Sequence, residues 1–385
     1  MFRFLRRSAI LIISFSLLFS TICSASSDTT SEVLPVFSDA SAHSFLLMDG
    51  ETGDVLSAKN ADEKLPMAST TKIMTCVVAL ENAVVSDEVA IDSRAVGIEG
   101  SSVYLVKDEK LKLEELLYAL MLESANDAAC AIALHISDSI SAFADLMNEK
   151  ARSIGMESTN FVNPHGLSVD GHFSTARDLC KLMRYAMGNE AFRVITGTET
   201  ISISAPNGKT RFLTNHNKLL RLYEECIGGK TGFTKKAGRC LVTSAKRGEK
   251  ELICATLGDP DDWRDHRALF EYGFSLYCDR KIADVNQFRY EIPVVGGTME
   301  KVFVSNADGF VRQLRSEEKI DFVVELPHFI YAPETKGAAV GEVIFKNGEL
   351  EIGRISLFLE TGVEKRQEKL SFWQKIMQKF KLWFD

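Results

Sequence analysis

Three short patterns bring together the residue types of nucleophilic acyl transfer. Ser69-Thr70-Thr71-Lys72 sets a hydroxyl and an amine three residues apart at a helix start, so both project from one face about one turn apart. A serine hydroxyl is a poor nucleophile at its own pKa, and a lysine kept neutral by desolvation or neighbouring positive charge takes its proton. Ser124-Ala125-Asn126 supplies a second hydroxyl and a carboxamide at the junction of two helical patterns, where side chains project from a loop into a cleft. Lys230-Thr231-Gly232 follows Gly228-Gly229 at the start of a strand pattern. A lysine, a hydroxyl and a glycine on a strand edge suit a substrate that lies alongside as an extra strand and ends in a carboxylate. Each pattern alone is cheap, since Ser316-Glu317-Glu318-Lys319 repeats the first and Ser158-Thr159-Asn160 the second. The ordered set Ser-x-x-Lys, Ser-x-Asn, Lys-Thr-Gly is a stronger signal than any member of it.

The elements that must hold these residues are legible in the periodicity. Ser44 to Met48 and Val55 to Ala58 read as two strands joined through Asp49-Gly50-Glu51-Thr52-Gly53. From Ser69 to about Glu81 the spacing of Ile73, Val77 and Leu80 predicts a helix, with Pro66 just upstream. Helical patterns follow at 113–123, 127–137, 141–154 and 174–187, and the period returns to two at Gly238 to Ala245 and Glu251 to Leu257. A last helix is expected over about 261–278. Strands at both ends of a domain with helices between them predict one antiparallel sheet flanked by helices, because the terminal strands must pair to cover the same core. From about 285 to 365 short alternating runs, among them Tyr290 to Val295 and Ile355 to Leu359, read as a small all-β module.

With these stretches in view, the chain resembles the penicillin-binding serine acyl transferases. More narrowly it is similar to the low-molecular-mass D-alanyl-D-alanine carboxypeptidases, peptidase family S11. The narrower likeness rests on Leu65-Pro66-Met67-Ala68-Ser69-Thr70-Thr71-Lys72, Glu99-Gly100-Ser101-Ser102, Asn163-Pro164-His165-Gly166-Leu167 and His172-Phe173-Ser174-Thr175-Ala176-Arg177-Asp178-Leu179. The resemblance implies an α/β (α+β) fold: a β-lactamase/transpeptidase-like domain with an antiparallel sheet and helical insert, then a small β-rich domain and a C-terminal amphipathic helix. It implies catalysis by Ser69, Lys72 and Ser124, with substrate held by Lys230, Asn126 and Thr231. Backbone N–H groups of Ser69 and Phe233 are its expected oxyanion hole. The substrates it implies are peptidoglycan stem peptides ending in D-Ala-D-Ala, with β-lactams as inhibitors and no metal or organic cofactor.

Three other readings stand beside it. A β-lactamase is disfavoured because no Glu-x-x-Leu-Asn stretch lies between Ser124 and Lys230. A catalytically idle β-lactam sensor fits a complete triple motif poorly, and an endopeptidase acting on D-alanyl cross-links stays open. Family members often hold the substrate carboxylate with an arginine near the end of the domain, where Arg264 and Arg267 are both candidates. His165 and His172 read as loop structure.

Composition bounds the setting. The 385 residues are 45% hydrophobic and 25% charged with net charge -8, which argues against a nucleic-acid-binding surface. Arg3, Arg6 and Arg7, the apolar run Ile10 to Phe19 and Cys23-Ser24-Ala25 read as a signal peptide over 1–25, and therefore as export to the extracytoplasmic face of a bacterial membrane. A Ser/Thr-rich linker fills 26–40, a catalytic domain 41–280 and the β-rich domain 285–365. Within 369–385, Phe372, Trp373, Ile376, Met377, Phe380, Trp383 and Phe384 fall near one helical face with lysines interleaved, the signature of a helix lying on a membrane surface. Seven cysteines follow the leader; scattered through apolar segments without Cys-x-x-Cys spacing, they read as buried free thiols.

Overall fold

The computed structural model describes residues 37, 39–204 and 208–367. The leader over 1–25, most of the linker and the amphipathic helix over 369–385 lie outside these residues. The chain divides into two compact units, Asp28–Leu276 and the part from Tyr277 onward.

In the first unit, β1 (Ser44–Asp49) and β2 (Val55–Lys59) form the expected hairpin, and a 3-10 turn over Ala68–Thr71 leads into α1 (Lys72–Asn82). A small ribbon, β3 (Glu88–Ala90) and β4 (Lys110–Lys112), precedes α2 (Leu113–Leu122), α3 (Asn126–Ile136), α4 (Ile140–Ser153), α5 (Ala176–Met187) and α6 (Glu190–Gly197). A second hairpin, β5 (Thr200–Ser204) and β6 (Thr210–Thr214), and a single turn α7 (Leu219–Leu222) lead to β7 (Cys226–Thr234), β8 (Gly238–Arg247), β9 (Lys250–Leu257) and α8 (Asp262–Ser275). The five main strands make one antiparallel sheet in the order β2-β1-β9-β8-β7. β1 pairs with β9 from Ser44↔Leu257 to Asp49↔Leu252, so the two ends of the domain are zipped at the sheet's centre.

Burial explains the strand sequences. Every residue of β1 is buried, because Leu46 and Met48 face the large core built on α1 to α6 while Leu47 and Leu252 pack under Gly273 of α8. Polar side chains start several helices: Ser139, Thr175 and Asn189 each accept a hydrogen bond from a backbone N–H of the first turn of α4, α5 and α6. Buried ion pairs fasten the periphery. Lys250 meets Asp49 at 2.9 Å, and Arg211 of β6 grips Glu109 through two contacts of 2.8 Å. Six of the seven described cysteines are buried free thiols, and Cys278 is exposed.

The second unit begins with β10 (Cys278–Ala283), a segment expected at the end of the catalytic domain. β11 (Arg289–Val295), β12 (Lys301–Asn306), β13 (Phe310–Leu314), β14 (Asp321–Glu325), β15 (Ile330–Tyr331), β16 (Ala339–Asn347) and β17 (Leu350–Leu359) complete it. Six strands lie in the order β14-β16-β17-β12-β11-β15, and β10 pairs with β13. Phe288, Val304, Phe345 and Leu357 are among its core residues. Here the second Ser-x-x-Lys pattern, Ser316 to Lys319, lies in a turn where Glu318 receives Arg315 and Asn347, an ordinary structural use.

Candidate active site

Ser69 sits in the 3-10 turn that opens α1, and the turn is forced. Ala68 adopts φ +48, a left-handed conformation unfavourable for a residue with a Cβ. Two buried hydroxyls hold it: Thr70 Oγ1 donates to Met67 O at 2.7 Å and Thr71 Oγ1 to Ala68 O at 2.8 Å. Behind them, His172 Nδ1 accepts from Val162 N, which leaves Nε2–H to donate to Thr71 Oγ1 at 2.8 Å. Burial pushes the His172 pKa down to about 4, so the imidazole stays neutral in this relay.

One turn on, Lys72 is wholly buried. Its Nζ lies 3.0 Å from Ser69 Oγ, 2.7 Å from Asn126 Oδ1 and 2.6 Å from the carbonyl of His165. Burial, and then the charge of Lys230, hold its pKa well below the ordinary lysine value. A neutral amine has two N–H donors and one lone pair. With the hydrogens committed to Asn126 and His165, the lone pair falls to Ser69 Oγ–H.

The loop bearing His165 is locked to the turn that carries Ser69. Asn163 Oδ1 accepts from the backbone of His165 and Gly166, and Thr75 Oγ1 of α1 donates to Pro164 O at 2.6 Å. Gly166 has φ +89, and a Cβ there would stand 2.0 Å from Ala68 O, so only glycine fits. Across the site Gly232 of β7 also comes close: its Cβ would lie 2.9 Å from Ser69 N.

Asn126 starts α3 and is spent largely on architecture. Besides accepting from Lys72, its Nδ2 donates to Glu99 O at 2.6 Å, while its backbone N–H donates to Ser101 O. One N–H and one oxygen lone pair remain for a ligand. The adjacent Asp127, buried, gathers Ser102 Oγ and the N–H groups of Val103 and Leu105, which shapes the Glu99–Ser102 stretch into a wall. Ser124, two residues before Asn126, holds φ +57 in the bend between α2 and α3, a second strained residue at the site.

Lys230 is buried on β7 with Nζ 2.9 Å from Thr231 O; burial pushes its pKa down to about 7, against the opposing charge of Glu123. Ser69, Ser124, Thr231 and Gly232 line one cleft of about 480 Å³, within the range of small-ligand sites. Lys72, Asn126 and Lys230 do not line it; Lys72 is joined to it through its bond to Ser69, and Asn126 through its bond to Lys72. The look-alike Ser158-Thr159-Asn160 is not there: Thr159 bonds Ser174 and Asp178, and Asn160 bonds Gly171 O.

Five further residues line the cleft: Ser101, His216, Arg239, Asp262 and Trp263, together with the Phe233 side chain. Of the two arginines weighed from sequence, Arg264 ion-pairs with Asp265 and Asp261, and neither it nor Arg267 lines the cleft. Arg239 carried no motif of its own. Its signal was the β7–β8 register, which sets it opposite Phe233.

A sequence profile described as D-alanyl-D-alanine carboxypeptidase matches residues 28–261. D-alanyl-D-alanine carboxypeptidase DacF of Bacillus subtilis is 30% identical over 322 residues, covering 80% of this chain and 82% of its own. D-alanyl-D-alanine carboxypeptidase DacC of Escherichia coli is 31% identical over 370 residues, 89% of each chain. Among solved structures, penicillin binding protein 5 from Haemophilus influenzae is similar with TM-score 0.60 and 26% identity, covering 85% of this chain and 98% of its own.

Proposed function

The chain belongs to the D-alanyl-D-alanine carboxypeptidase family, a family of serine hydrolases, and on that premise we propose that Ser69 carries the acyl group during removal of the terminal D-alanine from peptidoglycan stem peptides. The observation that supports this reading is the geometry at Lys72, a buried amine with one position turned to Ser69 Oγ and two fixed by acceptors.

In the first half-reaction Ser69 Oγ–H gives its proton to Lys72 Nζ as Oγ attacks the carbonyl carbon between the last two D-alanines. The oxyanion is received by the N–H groups of Ser69 and Phe233. Ser124 relays that proton from Lys72 to the nitrogen of the leaving D-alanine, the C–N bond breaks, and an ester to Ser69 remains with Lys72 neutral again. Lys230 sustains the positive field and Thr231 meets the terminal carboxylate, while the remaining N–H of Asn126 holds the substrate amide. Water then hydrolyses the ester, with Lys72 again the base. β-Lactams, whose strained amide mimics the D-Ala-D-Ala terminus, acylate the same serine.

We assign the chemistry to residues 41–280 and attachment to the extracytoplasmic membrane surface to the amphipathic segment 369–385, with the β-rich domain 285–365 between them. Anionic vesicles should retain the full mature chain and release one truncated after residue 367. Retention of the truncated chain would remove that assignment.

The test of the central reading is mass spectrometry of the mature protein with penicillin, and D-alanine release from diacetyl-Lys-D-Ala-D-Ala, for wild type and Ser69→Ala. A penicillin adduct on Ser69 with Ser69-dependent D-alanine release is expected. Rapid penicillin hydrolysis without peptide cleavage would instead make the protein a β-lactamase, and no adduct would remove Ser69 from the mechanism.

A further inference from the structure

The outer face of the six-stranded sheet changes character along β11. Residues alternate along the strand, with Ile292 in the core and Arg289, Glu291 and Val295 turned outward. At Arg289 and Glu291 this face is polar and satisfied: Arg289 pairs with Glu360 and sets its Cζ 3.8 Å from the Phe303 ring centroid, while Glu291 pairs with Lys301. At Val295 it turns apolar. The edge strand β15 pairs in parallel through Val294↔Ile330 and Val295↔Tyr331, so Ile330 enters the core and Tyr331 stands outside beside Val295. Phe329 meets Tyr331 edge-on with ring centroids 5.2 Å apart, and Met299 lies in the bend that follows β11. Val295, Met299, Phe329 and Tyr331 are all exposed.

The chain leaves the described residues at this same end. Thr298 N–H donates to Glu364 O, Lys365 bridges to Gly297, and Arg366 N–H donates to Gly296 O at 2.8 Å. Residue 369, where the amphipathic segment begins, is three residues past Arg366 and so within roughly 11 Å of it. A segment lying in the headgroup plane therefore brings the bend between Val295 and Met299 to the lipid interface. Charge does not single out this end, since Lys365 and Arg366 are offset by Glu300 and Glu364. The apolar side chains do, and a tyrosine, with an apolar ring and a polar tip, suits that interface.

We propose that Val295, Met299, Phe329 and Tyr331 form a second lipid contact, through which this end of the β-rich domain rests in the membrane interface beside the terminal segment. The proposal rests on attachment of the chain to a membrane by 369–385. Four side chains are too few to hold the chain alone, so truncation after residue 367 still releases it. Their effect is to set which end of the domain meets the bilayer.

The test uses the full mature protein and vesicles of phosphatidylglycerol and phosphatidylcholine. Phe329→Ser combined with Tyr331→Ser should weaken vesicle binding roughly 10-fold, at high salt as at low, with melting temperature and turnover of a soluble peptide unchanged. In a Cys278→Ser background, where the other described cysteines are buried, an environment-sensitive thiol dye on Met299→Cys should shift to the blue when vesicles are added. The same dye on Glu291→Cys, four residues and roughly 13 Å back from Val295, should not. Unchanged affinity in the double variant, or a dye at 299 that ignores vesicles while the chain binds them, would overturn the proposal. So would a shift at both positions, which would put the whole face rather than its end on the lipid. Blue emission at 299 before vesicles are added would overturn it too, because the terminal segment or a second copy of the chain would then already cover these side chains. If the double variant does not fold, the dye decides. A wild-type chain that binds no vesicles would remove the attachment reading, and the second contact with it.

Discussion

Gly232→Ala separates catalysis from folding more cleanly than loss of any side chain at the site. The added Cβ would stand 2.9 Å from Ser69 N and 3.1 Å from both Ala68 Cβ and Met67 O. Comfortable carbon contacts lie near 3.5–4.0 Å, so something must retreat by roughly 0.5 Å. The serine side is held by Thr70, Thr71 and Gly166 and has little freedom. β7 is an edge strand bonded only to β8, so the strand gives way, at about 1–3 kcal/mol of overpacking cost. Catalysis suffers more. On the proposed mechanism the methyl intrudes where the oxyanion lies between the N–H groups of Ser69 and Phe233, and loss of one such donor lowers rates by roughly 10²- to 10³-fold. Fluorescent-penicillin labelling should therefore be slowed by that factor in a protein whose melting temperature drops only a few degrees. Labelling within about tenfold of wild type in a folded variant would refute an oxyanion hole at this place.

Other outcomes follow from the same coordinates. On the proposed mechanism Lys72 acts as base only when neutral, above its pKa, and Lys230 helps keep that pKa low; Lys230→Met should move the acid limb of the acylation rate to higher pH, and an unmoved limb would dissociate the two lysines. His172 is buried with its pKa depressed to about 4, so the unfolded chain binds the proton first and stability present above pH 6.5 is lost as pH falls through 4. Its share is about 3 kcal/mol, visible as a pH-dependent melting temperature that flattens in His172→Asn. Glu109→Ala strands Arg211, whose side chain is 7% exposed, and should cost about 3–5 kcal/mol, read as a fall in melting temperature on the order of 10 °C.

Much of this was written locally in the chain. Ser69 and Lys72 meet because a helix turn brings positions three apart together, and Lys230-Thr231-Gly232 needs only a strand to present it. The pairing of β1 with β9 follows from strands at both ends of one core. The hairpin β5–β6 was hidden, because Thr200-Ile201-Ser202-Ile203-Ser204 has few apolar residues and lies within a run of helices. The left-handed conformations of Ala68 and Ser124 fall on residues with a Cβ, where neither residue type announces them. Arg239, Asp262 and Trp263 meet only through strand register and the docking of α8, contacts more than twenty residues apart that composition does not encode. Asn126 shows a subtler limit: its type announces a ligand for the substrate, yet most of its bonds go to Lys72 and Glu99.

The buried cysteines give folding a direction in time. Burial lifts the thiols of Cys130 and Cys226 to about 11 and that of Cys240 to about 12, so almost no thiolate exists in the native state to meet an oxidant. In the unfolded chain the same thiols return to roughly 8.5 and become reactive. Outside a reducing compartment the six buried thiols are therefore inert in the native protein and reactive in the unfolded chain, while Cys278 is exposed in both. In an oxidising compartment a newly made molecule must close its core before these sulfurs are oxidised, and one that later opens exposes them again.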